Sequence, residues 1–288
     1  MLCLPKKSQR AKLVGTPAEQ GVRHEKTKTV FVYLHGMGGF FWDPVATNLY
    51  SVVTRAGLGF FPFNNRGSCT IRRFNRWVGK KRKKVFAGTS LERFEDCIKD
   101  IDGALRILRK KGFRKFILCG HSTGCQKIAY YQSCRNNRAV KGFILLAPAD
   151  DMNIQKKLLG KRFYVSVRLA KRLVKHGSGA TIMPSQYAPT MFNAQRYCAL
   201  FKPNSVEGNL FNYDTSLPVL RKISVPVLAV FGRDEIPSKY TSAQMLQKLT
   251  RAKPEMSTAL ILGDHSYRGG EKQLRSTVAR WLRTHFVS

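Results

Sequence analysis

The feature that most constrains this chain is Gly120-His121-Ser122-Thr123-Gly124, which stands between the apolar run Phe116-Ile117-Leu118-Cys119 and a segment with helical character up to about Cys134. A G-x-S-x-G turn that joins a strand directly to a helix holds its serine in a strained conformation, and a glycine on each side removes the Cβ atoms that would clash. The hydroxyl is pushed out at the C-terminal edge of the sheet. The helix start aims free N–H groups and the positive end of its dipole at the same spot.

The rest of the chain repeats this alternation. Continuous apolar runs, the type expected of strands buried on both faces, occupy residues 30–34, 58–63, 116–119, 142–147, 225–231 and 259–262. Between them lie helical patterns. Asp43-Pro44 supplies an N-cap and a first-turn proline for a helix that turns Val45, Leu49, Val52 and Val53 inward up to Gly57. Thr89 and Glu92 have capping-box spacing ahead of Phe94, Cys97, Ile101, Leu105 and Leu108. Two more helices are expected near residues 242–249 and at Leu274, Val278, Trp281 and Leu282. This order predicts an α/β protein with a mostly parallel, doubly wound sheet and right-handed crossovers.

The alternation stops between Asp151 and Lys222. That stretch holds one clear helix, residues 163–175, and scattered aromatics. It reads as a cap over the carboxyl edge of the sheet, with some aromatics lining a substrate cavity and most of them joining cap to sheet. The expected organisation is a basic arm (1–28), a core (29–151 and 222–288) and a helical cap insertion (152–221).

Composition narrows the function classes. The 288 residues include 43% hydrophobic side chains, which excludes disorder as the main state. No apolar run approaches the ~20 residues of a membrane-spanning helix, and the start has no signal-peptide core. Seven cysteines without a CxxC pair, several of them in apolar patterns, point to free thiols, a reducing cytoplasmic compartment and no zinc or other metal. The basic arm leaves organelle targeting open. The 51 Lys and Arg against 17 Asp and Glu give a net charge of +34, a field that attracts polyanions such as nucleic acid or an anionic membrane face. Runs such as Lys80-Lys81-Arg82-Lys83-Lys84, read as a basic loop, would carry that property.

A serine hydroxyl needs a base to become a nucleophile. Of the six histidines, His265 in Gly263-Asp264-His265-Ser266-Tyr267 lies after the last strand and before the last helix, where the chain order Ser, acid, His places the base. The others sit in the arm, inside the two glycine turns, at the end of a cap helix or near the C-terminus. The acid is expected after the strand at 225–231, in Gly232-Arg233-Asp234-Glu235-Ile236-Pro237. Asp234 is preferred and Glu235 is the alternative; Asp150 and Asp151 are read as solvated loop carboxylates. His35-Gly36-Met37-Gly38-Gly39 follows the first strand, where its backbone could approach a bound carbonyl, so the N–H of Met37 would join that of Thr123 in an oxyanion hole. The glycine turn lacks the Lys-Ser/Thr pair of a phosphate loop.

Taken together, these motifs resemble the α/β-hydrolase superfamily over residues from about 28 to 286. Within it, Gly120-His121-Ser122-Thr123-Gly124-Cys125-Gln126 and Leu146-Ala147-Pro148 are similar to the branch with fungal siderophore esterases and related microbial hydrolases. The resemblance implies a serine esterase with Ser122, Asp234 and His265 as its triad and Met37 and Thr123 as its oxyanion hole. The acid turn departs from the family form by being one residue shorter.

The expectation is therefore a serine hydrolase that cleaves a small-molecule carboxylic ester, or a related acyl bond, through an acyl-enzyme without a cofactor. A noncatalytic receptor on the same fold and a basic protein that binds nucleic acid or an anionic membrane surface are the alternatives.

Overall fold

The computed structural model describes residues 27–78 and 80–287, so most of the basic arm, with Cys3 and His24, lies outside the described residues. Six strands form one parallel sheet: β1 (Thr29–Leu34), β2 (Gly59–Pro62), β5 (Lys115–His121), β6 (Val140–Leu146), β7 (Val227–Asp234) and β8 (Ser257–Asp264). Their order is β2-β1-β5-β6-β7-β8. The chain first winds outward to one edge and then crosses to build the other half, so β1 and β5 are neighbours at the centre. β1, β5 and β6 are almost wholly buried, as continuous apolar runs require. The fold class expected from the sequence is the one found.

Helices cover both faces. α1 (Pro44–Arg55) starts at Asp43, whose carboxylate accepts from the Ala46 N–H at 2.8 Å, with Pro44 in the first turn. α2 (Cys97–Lys110) buries Cys97, Ile101, Ala104, Leu105 and Leu108 along one stripe. α3 (Thr123–Arg135) runs beneath the central strands, and α9 (Ser242–Ala252) and α10 (Glu271–Phe286) flank the last two.

Two local expectations are corrected. Thr89 and Glu92 form no capping box, because residues 89–91 make a separate 3-10 turn and α2 begins only at Cys97. Glu92 is instead buried against Lys127 of α3, with Lys127 Nζ 2.6 Å from Glu92 Oε1. A carboxylate buried at that depth needs a charged partner, and Lys127 supplies it. Residues 81–84 are not a loop either. They belong to an antiparallel ribbon, β3 (Arg72–Val78) with β4 (Lys81–Ala87), which stands apart from the main sheet.

Between β6 and β7 the chain forms α4 (Asp151–Leu159), α5 (Arg162–Lys175), α6 (Ala194–Phe201), α7 (Val206–Leu210) and α8 (Pro218–Arg221), where the sequence showed one clear helix. The short ones lack the repeats that make periodicity visible. Met152, Phe163, Val167, Phe192, Tyr197 and Phe201 pack in a cluster of their own, with the Tyr197 and Phe201 ring centroids 4.7 Å apart. Leu210, Phe211, Tyr213 and Leu220 join the core under the sheet instead. A buried ion pair binds the two layers: Arg196 of α6 meets Glu207 of α7, with Nη2 2.7 Å from Oε1, and its Nε donates to the Thr89 carbonyl at 3.3 Å.

Candidate active site at the carboxyl edge of the sheet

Ser122 sits between the end of β5 and the first residue of α3 with φ 54° and ψ −125°, a region that ordinary side chains seldom adopt. The flanking glycines make this possible. A Cβ on Gly124 would lie 2.3 Å from the Leu34 carbonyl oxygen, and one on Gly120 would lie 2.5 Å from that of Gly124. The strained turn is tied to the next strand by the Ser122 N–H, which donates to the Leu146 carbonyl at 2.8 Å.

The turn after β1 comes equally close. A Cβ on Gly36 would stand 2.9 Å from the Ser122 Cβ and 3.4 Å from its Oγ, so only a glycine lets this backbone pass. The N–H groups of Met37 and Thr123 donate to no other group among the described residues. Thr123 is the first residue of α3, where a helix has no internal acceptor for its N–H.

His265 follows β8. Its Nδ1 lies 2.5 Å from Oε2 of Glu235, whose other oxygen, Oε1, accepts from the Gly232 N–H at 3.3 Å. A carboxylate at Nδ1 fixes the proton on that nitrogen and leaves Nε2 free to accept. The preference for Asp234 is thereby corrected: the residue that meets His265 is Glu235. Asp234 is the last residue of β7, exposed and in register with Asp264. Arg233 and Asp234 are both exposed where the pairing of β7 with β8 becomes irregular, whereas Glu235, one residue past the strand, is half-buried and turns back to His265.

Three residues to which the sequence assigned no role in the site belong to the same region. His121 is buried, and its Nε2 donates to the backbone carbonyl of His265 at 2.8 Å with the two rings 5.1 Å apart. Burial, and next the neighbouring His265, push the His121 imidazole down to about 4. Asp151, read as a solvated carboxylate, is instead half-buried and held: Gln126 Nε2 donates to its Oδ2 at 2.9 Å. Burial first, then the charge of Glu207, push its carboxyl up to about 8 against the pull of Arg196. Asp150 is not solvated either, since it is 1% exposed and caps α4 by accepting from the Asn153 N–H. Sequence offered one cue here, the acid pair directly after β6.

These groups surround one cavity of about 380 Å³ that is lined by Met37, Ser122, Thr123, Asp151, Phe201 and His265. Phe192 and Gln155 add walls from the segment above. The structure thus brings together Ser122, His265, Met37 and Thr123, places Glu235 behind His265, and leaves Asp234 outside. Among the described residues no cluster of His, Cys, Asp and Glu could hold a metal ion, and no helix is long and apolar enough to cross a membrane.

Solved structures share this fold across nearly the whole chain. Siderophore hydrolase EstB from Aspergillus fumigatus is 15% identical, with 90% of this chain and 91% of that one covered at a TM-score of 0.66. Est1E from Butyrivibrio proteoclasticus, solved with bound ferulic acid, is 14% identical over 91% and 92% at 0.63. A soluble variant of the monoglyceride lipase of Saccharomyces cerevisiae, in complex with a substrate analog, is 15% identical over 92% and 89% at 0.60. At such identities the likeness speaks for the fold. No curated protein matches by sequence. Residues 85–278, more than half of the chain, match the model of a family described as a protein of unknown function, DUF1749. The chain has the α/β-hydrolase fold that these structures share, and by its match over residues 85–278 it belongs to the DUF1749 family.

Proposed function

We propose that this protein hydrolyses a carboxylic ester through an acyl-enzyme on Ser122. The observation that carries the reading is the Glu235 carboxylate on His265 Nδ1, with His265 and Ser122 on the wall of one cavity. His265 Nε2 removes the Ser122 proton as Oγ attacks the ester carbonyl carbon, and the carbonyl oxygen becomes an oxyanion that the Met37 and Thr123 N–H groups receive. The C–O bond to the alcohol then breaks, and the proton on Nε2 leaves with that alcohol. A water molecule repeats the sequence on the acyl-enzyme, releasing the carboxylic acid and restoring Ser122. Glu235 stays ionised and stabilises the imidazolium.

An ester is favoured over other acyl bonds because the structural neighbours include a Pyrococcus furiosus esterase, a siderophore hydrolase and a monoglyceride lipase. The segment at 152–221 acts as a cap, with Phe192 and Phe201 supplying an apolar wall. The test is a panel of p-nitrophenyl esters of rising acyl length. Turnover of at least one ester, reduced by about 10³-fold or more in Ser122→Ala and in His265→Ala, is expected. No turnover of any ester by the wild type would favour a receptor that keeps only the pocket.

A further inference from the structure

A second cavity, of about 350 Å³, lies within the α4–α6 segment and shares Phe201 with the serine cavity as a common wall. Its residues come from one face of α5 at positions 163, 164, 167, 168 and 171, from α4 at 152 and 156, and from the chain after α6. The lining has two parts. Met152, Phe163, Val167 and Phe201 are buried and apolar. Arg168 and Lys171 are exposed and Lys156 is half-buried, so the cations stand at the open side.

These cations have no acidic partner to neutralise them. None of the three forms an ion pair among the described residues, and the sequence from 152 to 206 contains no Asp or Glu. The first acid beyond that stretch, Glu207, is taken by Arg196. The two asparagines at the rim are also engaged: Asn212 Nδ2 donates to Asn209 Oδ1, and Asn209 Nδ2 donates to the carbonyls of Pro203 and Ser205. Free donors are therefore supplied by Lys156, Arg168 and Lys171, and what they suit is an anion. An apolar pocket under a cationic mouth is complementary to a molecule with one hydrocarbon tail and one negative head.

We propose that this cavity binds a single-chain anionic amphiphile, with its tail against Val167 and Phe201 and its carboxylate or phosphate head on Arg168 and Lys171. The site is distinct from the serine cavity and does not depend on ester hydrolysis.

The test uses Ser122→Ala protein, which cannot turn over, titrated calorimetrically with decanoate, decyl phosphate and decanol below the concentrations at which they aggregate. Saturable one-to-one binding of an anion, about tenfold or more tighter than decanol, is expected. The stronger of the two anions identifies the head group. Arg168→Glu with Lys171→Glu should weaken the anion about tenfold or more while leaving decanol unchanged. Val167→Trp should abolish binding with the thermal melt unchanged. The proposal is overturned if neither anion binds, if decanol binds as well as they do, or if binding survives Val167→Trp, which would place the ligand in the serine cavity. Should Val167→Trp not fold, the two surface substitutions decide, and unchanged affinity in them overturns the proposal.

Discussion

His121 Nε2 donates a 2.8 Å hydrogen bond to the backbone carbonyl of His265, so the residue beside Ser122 in sequence holds the loop that carries the imidazole. For this the His121 ring is buried, and so is His35 on the neighbouring turn. Both imidazoles are lowered to about 4, chiefly by burial, with His265 the next cause at His121 and Lys127 at His35. An unfolded histidine takes up its proton near 6.5, whereas these remain neutral until about 4, so the unfolded state binds more protons in that interval. Stability should fall as pH drops from 6.5 to 4, by about 2–3 kcal/mol for each group. Melting curves across this range check it: His121→Gln should show a shallower decline, and an identical decline would contradict the assignment.

Glu235 and Asp234 are adjacent, and only Glu235 reaches His265. Replacing Glu235 with Gln should lower kcat about 10²- to 10⁴-fold, as loss of a carboxylate that orients a base does elsewhere. Asp234→Asn should leave kcat within about twofold. Steady-state kinetics on the two variants decide, and the reverse ranking would return the role to Asp234.

That distinction was hidden in the sequence for a physical reason. It depends on where β7 stops and which way the residue beyond it turns, and β7 ends in an irregular stretch of its pairing with β8. The turn around Ser122 was legible because its constraint is local: a strained serine with close backbone approaches requires its flanking glycines. The order of strands and helices was legible for a similar reason, since the central strands are buried on both faces and continuously apolar; the edge strands β2 and β8 are half-buried or exposed, which corrects the burial expected for 58–63 and 259–262. β4 has no buried residue to leave an alternating pattern, so its cations looked like a loop. At Glu92 a distant partner, Lys127, overrode a local capping signal. Asp151 could not be placed from its neighbours, because Gln126, Arg196 and Glu207 reach it from other elements.

Asp151 gives a prediction of opposite sign to the histidines. Its carboxyl keeps a proton up to about 8 in the folded protein, whereas the unfolded group releases it near 3.8. The stability due to the neutral form is complete below about pH 4 and is lost as pH rises through 8. Asp151→Asn keeps an oxygen for Gln126 and cannot ionise. It should match the wild type at pH 4 and exceed it by about 2 kcal/mol or more at pH 8, read from denaturant midpoints. A gap that does not widen with pH would contradict the protonated state.

The ribbon of β3 and β4 presents exposed Arg72, Arg73, Lys80, Lys81, Arg82, Lys83 and Lys84 with no acid among them. Binding of a single-stranded oligonucleotide should weaken steeply with salt. Substituting residues 81–84 with Gln should reduce the slope of log K against log salt by up to about 3. Fluorescence anisotropy at several salt concentrations measures this, and an unchanged slope would mean that the anion contacts lie elsewhere.

The central claim is that Ser122 is an activated nucleophile, and a fluorophosphonate tests it directly. Intact mass and peptide mapping should show one adduct per chain on the peptide that holds Ser122, absent in Ser122→Ala and slowed about 10³-fold or more in His265→Ala. Labelling that persists in Ser122→Ala, or a wild type that does not react, would contradict the account.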